Sequence, residues 1–117
     1  METQYRQFFR LLSDDTRLRS LLLIRQEGEL CVCELVHALG VIQPKVSRHL
    51  AALRDSGVVA DRRSGQWIYY RIHPDLPDWA RQVIDATGSA AATRKPFADD
   101  LAVLAAMPNR PNAARCA

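Results

Sequence analysis

The sequence predicts a mainly α-helical domain with one β-hairpin, and three observations lead to that prediction. Apolar residues recur at helical spacing in several short segments, and two of these segments are joined by a Gly-containing turn of three residues. Two strand-like runs with basic residues near the turn between them follow directly. Helices joined by so short a turn form a helix-turn-helix, and a basic hairpin after it is a wing. We therefore expect a winged helix-turn-helix fold, α+β in class.

The composition is that of an ordinary globular domain. The chain has 117 residues, of which 48% are hydrophobic and 25% are charged, which suffices for one domain with a real core. Its apolar runs are all shorter than the roughly 18 residues that a membrane span needs. The first residues lack the layout of a signal peptide, so we expect a cytoplasmic protein without membrane contact.

The first helix is predicted over residues 2–12, and its apolar stripe is broad for a terminal helix. A second helix is expected over residues 15–26, because Ser13-Asp14-Asp15 supplies N-cap candidates and first-turn carboxylates, and Gly28 is a suitable stop. The stripe of the first helix packs on the core or meets a partner chain; its members are Tyr5, Phe8, Phe9 and Leu12.

The helix-turn-helix is predicted from the next two helical segments. Residues 29–32 are expected to be extended and residues 33–39 helical, and a tight connection then leads to a fourth helix. Gln43 is expected to cap that helix, with Pro44 in its first turn, and Gly57 to end it. Its buried stripe, at spacings of four and three, consists of Val46, Leu50 and Leu53.

The wing is predicted as two strands, 58–63 and 66–73, separated by a Ser-Gly turn. The second strand alternates apolar and amphipathic residues, which is typical of a half-buried strand. Arg62 and Arg63 lie near the tip, where basic side chains contact phosphate or the minor groove. A merely solvated hairpin tip is the alternative.

A fifth helix is predicted over residues 77–87, with Trp79 and Val83 on one face. Its composition mirrors that of the first helix. These N- and C-terminal helices are therefore candidates for a shared homodimer surface, although core packing alone also explains their apolar faces.

The composition changes after residue 88, where the chain becomes rich in Ala, Pro and Asn. We expect residues 1–88 to form a DNA-binding and dimerisation domain and residues 89–117 to be a partly flexible extension. A short helix over 97–107 is expected within the extension, followed by disorder over 108–117.

Basic charge is concentrated in residues 43–73, which hold six Lys or Arg and two Asp residues, a sum of +4 in a chain whose total is +3. A basic segment on a near-neutral body is typical of a phosphate-binding surface, although a solvated face gives the same pattern. For His49, which borders the buried stripe, a structural or phosphate-positioning role competes with base contact and with metal binding. The predicted double-stranded DNA contacts are Gln43, Lys45, Ser47, Arg48, His49, Arg62 and Arg63.

Two cysteines separated by one residue, Cys31 and Cys33, precede the helix-turn-helix. Three cysteines in a reducing compartment argue against a disulfide scaffold. The remaining roles for Cys31 and Cys33 are metal or metalloid binding, redox chemistry, and burial as small hydrophobic residues. Soft trivalent arsenic and antimony favour thiolates. The two side chains point to one side of an extended segment but diverge by about 200° on a helix. We therefore expect chelation to bend or unwind the start of the third helix. The nearby helix N-terminus favours the Cys33 thiolate.

Four runs of residues carry a resemblance to a known family. They are Glu-Leu-Cys-Val-Cys-Glu-Leu at 29–35, Gln-Pro-Lys-Val-Ser-Arg-His-Leu at 43–50, Arg-Asp-Ser-Gly at 54–57 and Gly-Gln-Trp-Ile-Tyr-Tyr-Arg at 65–71. Together they resemble the arsenical-resistance repressors of the ArsR/SmtB family. The resemblance implies a homodimeric repressor that requires no cofactor, holds operator DNA when unliganded, and is released by As(III) or Sb(III).

The chain departs from that family at one position. Relatives with three clustered cysteines carry the third where this chain has Val36. The resemblance therefore implies Cys31 and Cys33 as two ligands of an incomplete set. Cys116 is a candidate third ligand, and a small thiol or hydroxide are the alternatives. The simplest interpretation of Cys116 is a tail thiol that takes no part in the site.

Several rival functions stay open on the same residues. A thiol-redox regulator would oxidise the cysteine pair, and constitutive nucleic-acid binding would leave the cysteines structural. Zinc or cadmium sensing is disfavoured because the predicted fifth helix offers Asp78 and Asp85 but no histidine. An enzyme would use Cys33 as nucleophile with His37 as base, yet no oxyanion-hole motif or orienting carboxylate stands out. We do not expect an enzyme.

Overall fold

The computed structural model describes residues 2–111 and shows a winged helix-turn-helix. Within that range the chain forms six helices and one antiparallel three-stranded sheet. The elements in order are α1 (Glu2–Leu12), α2 (Asp15–Glu27), β1 (Leu30–Cys31), α3 (Val32–Leu39), α4 (Gln43–Asp55), β2 (Val59–Ser64), β3 (Trp67–Ile72), α5 (Asp78–Ala91) and α6 (Phe97–Ala105).

The helix α2 lies at the centre of the core, with Leu21 and Ile24 completely buried. Its predicted ends are confirmed. The Asp14 carboxylate accepts a hydrogen bond from the Arg17 backbone N–H at 3.0 Å, which satisfies one of the orphan donors of the first turn. Gly28 ends the helix at a φ of +89°, a backbone conformation that residues with a Cβ rarely adopt.

The predicted helix-turn-helix is formed by α3 and α4, and the buried stripe of Val46, Leu50 and Leu53 is fully inaccessible to solvent. One detail of the prediction is wrong. The N-cap of α4 is Ile42, whose backbone is extended, and Gln43 is the first helical residue. Gln43 therefore points its side chain from the first turn, where recognition helices contact bases most often.

The hairpin of β2 and β3 is the wing, but its turn lies one residue later than predicted. Ser64 still pairs with Trp67, so the turn residues are Gly65 and Gln66. Gly65 has a φ of +60°, and this left-handed conformation explains why the chain reverses after Ser64 and not at it.

A third strand joins the wing, which the sequence did not predict. The strand β1 pairs antiparallel with β3, so that Leu30 lies opposite Tyr70 and Cys31 opposite Tyr69. The sheet order is β1-β3-β2. The first cysteine is therefore part of the same hydrogen-bonded sheet as the hairpin.

The predicted end of α5 at residue 87 is wrong, because the helix continues through Gly88 to Ala91. Gly88 is buried against α2, and a Cβ at this position would lie 2.8 Å from Nη1 of Arg25. The glycine therefore permits a close helix contact and does not terminate the helix.

The expected short helix of the extension is present as α6, which packs against α2 and α3. Its buried Asp100 accepts hydrogen bonds from Arg19 at 2.7 and 2.8 Å. The expectation of disorder after residue 107 does not hold at Arg110, which forms ion pairs with Glu27 and Glu34; residues 112–117 lie outside the described range. None of the helices in residues 2–111 is long and apolar enough to cross a membrane.

Candidate functional site

The two thiols meet where β1 passes into α3. Cys31 is the last residue of β1 and the N-cap of α3, and Cys33 lies in the first helical turn. Their sulfur atoms are 2.6 Å apart. Cys31 is completely buried and Cys33 is partly exposed.

In this geometry the two thiols converge without any bend or unwinding of α3. The helix begins at Val32, one residue earlier than predicted, and yet the thiols converge. They do so because Cys31 has an extended backbone, with φ −89° and ψ 164°, and so stands outside the helical turn that holds Cys33. One soft atom can therefore reach both sulfurs while α3 stays intact.

A buried carboxylate stabilises this junction. The Cys31 backbone N–H donates to Oε1 of Glu34 at 2.8 Å, and Arg110 Nε donates to the other oxygen, Oε2, also at 2.8 Å. Burial, the neighbouring Cys33 and the Glu34 carboxylate all raise the pKa of the Cys31 thiol. A ligand that binds the Cys31 sulfur must therefore displace a proton.

The thiol pair has no third protein donor in the described part of the chain. No cluster of three or more His, Cys, Asp or Glu side chains that could hold a metal ion occurs among residues 4–111. Val36 offers only an apolar side chain, and Cys116 lies outside the described residues. A classical four-ligand zinc site is not present in this range.

A cavity of about 370 Å³ adjoins the thiols and separates them from the DNA-reading elements. Both cysteines line one side, Gln43 and Ser47 of α4 line another, and Trp67 of β3 closes it. The thiols, the fourth helix and the wing therefore border one cleft that is open to solvent.

The predicted DNA-facing side chains of α4 lie mostly at the surface. Gln43, Lys45 and Arg48 are exposed, and Ser47 is partly exposed. This arrangement presents two positive charges and two hydrogen-bonding side chains from the N-terminal half of the helix. Such a surface suits phosphate and base contacts.

His49 faces inward and not toward the predicted DNA surface. Its Nδ1 lies 3.1 Å from Nη1 of Arg17, and because arginine only donates, Nδ1 must accept and the ring proton sits on Nε2. Nε2 is 3.7 Å from the Asp14 carboxylate. Burial, assisted by Arg17 and other nearby cations, lowers the pKa of His49 against the opposing effect of Asp14. These contacts favour a structural or positioning role.

The two wing arginines differ in their surroundings. Arg62 makes a bidentate ion pair with Glu29, at 2.6 and 2.8 Å, and its guanidinium lies 4.6 Å from the ring centre of Tyr69. Arg63 is exposed and forms no ion pair with another residue in the described range. Arg63 is therefore the wing side chain that is ready to meet a phosphate.

Aromatic side chains of α1 and α5 form a partly exposed patch. The Tyr5 and Phe8 rings lie 4.7 and 5.1 Å from that of Trp79. Tyr5 is 40% exposed and Phe9 is 52% exposed, whereas Phe8 is buried. We call Tyr5, Phe8, Phe9 and Trp79 the aromatic patch; Leu12 and Val83, the other predicted dimer residues, are partly buried.

Sequence reasoning missed three residues of the thiol site. Glu34 follows Cys31 by three residues, which is the spacing of a capping box and was a readable signal. Trp67 stood in an alternating strand but gave no sign of facing the thiols. Arg110 carried no local signal, because its partner is 76 residues away.

Comparisons with known proteins agree on one family. Residues 14–61 match the sequence profile described as "Bacterial regulatory protein, arsR family". The chain is 52% identical over 103 residues to the arsenic resistance transcriptional regulator ArsR1 of Pseudomonas putida, covering 88% of this chain and 79% of that protein.

Solved structures give the same fold. The AntR antimony-specific transcriptional repressor superposes with a TM-score of 0.61 at 31% identity, over 71% of this chain and 72% of that one. The homodimeric winged helix-turn-helix DNA-binding domain of Mb0332 from Mycobacterium bovis superposes with a TM-score of 0.63 at 29% identity, over 76% of this chain and 79% of that one.

Proposed function

Because the chain belongs to the ArsR family of bacterial regulatory proteins, we propose that it represses transcription as a homodimer and releases operator DNA when As(III) or Sb(III) binds Cys31 and Cys33. The family consists of DNA-binding transcriptional regulators, so the chain is a regulator and not an enzyme. The metalloid is the inducer, and no further cofactor is needed for the proposal. The P. putida relative is named for arsenic resistance and the AntR repressor for antimony.

The observation that carries the proposal is the place of the thiol pair. Cys31 ends a strand that is hydrogen-bonded to the wing, and Cys33 lies in the first turn of a helix that packs against α4. A metalloid bound to both sulfurs thus acts on the junction of the two elements that contact DNA. Thiolate ligation suits the softness of trivalent arsenic and antimony.

The coupling needs a difference in metalloid affinity between two conformations. A ligand shifts an equilibrium only by its differential affinity for the two states. Two arsenic–sulfur bonds fix the separation of the sulfurs, which are in direct contact at 2.6 Å in the unliganded chain. A change in that separation moves β1 relative to α3. Because the coupling is reciprocal, the factor by which the metalloid lowers the affinity for DNA equals the factor by which DNA lowers the affinity for the metalloid.

The DNA surface in this proposal consists of α4 and the wing. Gln43, Ser47 and Arg48 face the groove with Lys45 beside them, and Arg63 holds a phosphate. His49 positions α4 through Arg17 and does not read bases. Residues 1–88 supply DNA binding and dimerisation, and residues 89–117 form an extension whose helix α6 packs on α2 and α3.

The homodimer is proposed to form through the aromatic patch with Leu12 and Val83 at its edge. Exposed aromatic residues on a small domain mark interaction surfaces. Two-fold symmetry places the same patch on both protomers, so α1 and α5 of one chain meet those of the other. The related M. bovis domain is homodimeric.

The test is DNA release by arsenite. DNA sites are selected by the protein from a random library, and fluorescence anisotropy then measures binding to the selected site with and without arsenite. Cys31→Ser and Cys33→Ser are each expected to keep DNA affinity and to lose the arsenite response.

Cys116→Ser is the matched variant, since it makes the same substitution at the thiol whose role is open. Retained response in this variant assigns the inducer site to the pair, and loss of response makes Cys116 the third ligand. Release of DNA by arsenite from both Cys31→Ser and Cys33→Ser would contradict the proposal. Release by peroxide alone would favour the thiol-redox alternative.

A further inference from the structure

We propose that the cavity beside Cys31 and Cys33 seats a small free thiol, whose sulfur supplies the third ligand to the bound arsenic. The inference rests on the proposed function and extends it. The inducer recognised by the protein is then arsenic that carries a low-molecular-weight thiolate.

The chemistry requires a third donor from somewhere. Trivalent arsenic takes three ligands in a pyramid, and thiolates are the donors that it prefers. The thiol pair provides two, and residues 4–111 contain no cluster with a third suitable donor. Arsenous acid, two protein thiols and one free thiol give one arsenic trithiolate and three waters. Three As–O and three S–H bonds break, three As–S and three O–H bonds form, and arsenic stays trivalent.

The cavity has the size of a small-molecule site. Its volume of about 370 Å³ falls in the range of ordinary ligand pockets, about 300–1,000 Å³. Because both cysteines line it, a ligand attached to their shared arsenic atom lies at its wall.

The lining suits a polar thiol. The Gln43, Ser47 and Gln66 side chains border the cavity and form no hydrogen bond with another described residue. Gln43 and Gln66 are exposed and Ser47 is partly exposed, so these side chains are accessible to a ligand that brings hydrogen-bonding atoms of its own. Trp67 adds an apolar wall against which the methylene next to a thiol sulfur can pack.

Native mass spectrometry tests the proposal directly. The Cys116→Ser protein is kept reduced with a phosphine, which contains no sulfur, and receives arsenite with or without L-cysteine. Without L-cysteine we expect one arsenic that carries hydroxyl. With L-cysteine we expect an adduct that is heavier than the arsenic–hydroxyl adduct by the mass of one L-cysteine minus one water. The wild-type chain is expected to give the same adduct.

Each outcome decides a different claim. If the arsenic–hydroxyl adduct keeps the same mass when L-cysteine is added, this inference is overturned and the proposed function still stands. If the wild-type chain in the presence of L-cysteine carries arsenic with neither hydroxyl nor L-cysteine, the inference is also overturned, because Cys116 is then the third ligand of arsenic. Absence of arsenic from the protein in every arm overturns both.

A cavity-narrowing variant tests the location. Ala51 lines the cavity from α4, and Ala51→Leu should exclude the free thiol while leaving both cysteines in place. Ala102→Leu, at an exposed position of α6, is the matched control. Arsenic–thiolate absorbance should show that L-cysteine tightens arsenite binding by about tenfold in the wild type and the control but by less than about twofold in Ala51→Leu. An equal gain in all three proteins would place the thiol elsewhere.

Discussion

Arg110 and Glu34 form an ion pair of 2.8 Å that joins the C-terminal segment to the thiol site. Glu34 is completely buried, and its second oxygen holds the Cys31 backbone N–H. The same guanidinium also reaches Glu27 at 3.2 Å. Arg110 of the C-terminal extension therefore stabilises Glu34, the residue whose carboxylate caps the start of α3.

The first prediction follows from this contact. Arg110→Met should lower the free energy of unfolding by about 1–3 kcal/mol, because it leaves a buried carboxylate without its cation. Urea unfolding measures the change. Arg94→Met, at an exposed arginine between α5 and α6, should change stability by less than about 0.5 kcal/mol. Equal losses in both variants would show that the Glu34 contact contributes nothing specific.

Substitutions of the two wing arginines, Arg62 and Arg63, should have different effects on the salt dependence of DNA binding. Arg63→Ala should weaken binding to all sequences alike and reduce the slope of log K against log salt by about 0.9, the value for one phosphate contact. Arg62→Ala should change the slope less, since the Arg62 charge is already balanced by Glu29. Arg94→Ala controls for a simple loss of net charge. A larger slope change for Arg62 than for Arg63 would reverse the assignment.

Stability should decline in mild acid because of His49. Its pKa is lowered on folding, so the unfolded chain binds the proton more readily. The contribution of His49 is complete above the unfolded pKa of about 6.5 and is lost as pH falls through the lower folded value. His49→Gln should flatten this decline in denaturant unfolding at several pH values, whereas His37→Gln, on the exposed side of α3, should keep it. A decline unchanged in His49→Gln would assign it to other groups.

The aromatic patch should control the oligomeric state. Phe9→Glu places a charge at the most exposed member of the patch and should weaken dimerisation by more than about tenfold, or more than about 1.4 kcal/mol. Sedimentation equilibrium provides the measurement. Val103→Glu is a fair comparison, because Val103 is a similarly exposed apolar residue on α6. A Phe9→Glu protein that dimerises like the wild type would move the interface to another face.

Local signals made much of the fold predictable. The cap at Asp14, the stop at Gly28 and the buried stripe of α4 each depend on residues a few positions apart. The same holds for the thiol pair, since the extended Cys31 and the helical Cys33 are neighbours in sequence. These features follow from spacing and cap chemistry, which the sequence displays directly.

Long-range contacts account for what was missed. A strand of two residues has no periodicity, so the pairing of Cys31 with Tyr69 had no signal. Gly88 carries a stop signal that packing against Arg25 overrides. The direction of His49 and the partner of Arg110 depend on how helices meet in space. The Cys-x-Cys spacing pointed to the ligands, whereas the cavity beside them is a property of the assembled tertiary structure.

The two sulfurs in contact belong to one chain, one at the end of β1 and the other in the first turn of α3. In the proposed repressor a metalloid on this pair does not bridge two protomers through Cys31 and Cys33, so each half of a homodimer carries its own thiol pair. The loading of a dimer then passes through a singly occupied species in which one wing is altered and the other is not. Transcriptional output is set by how firmly that asymmetric species holds a two-fold operator, which makes the steepness of the arsenic response a property of the DNA site as much as of the protein.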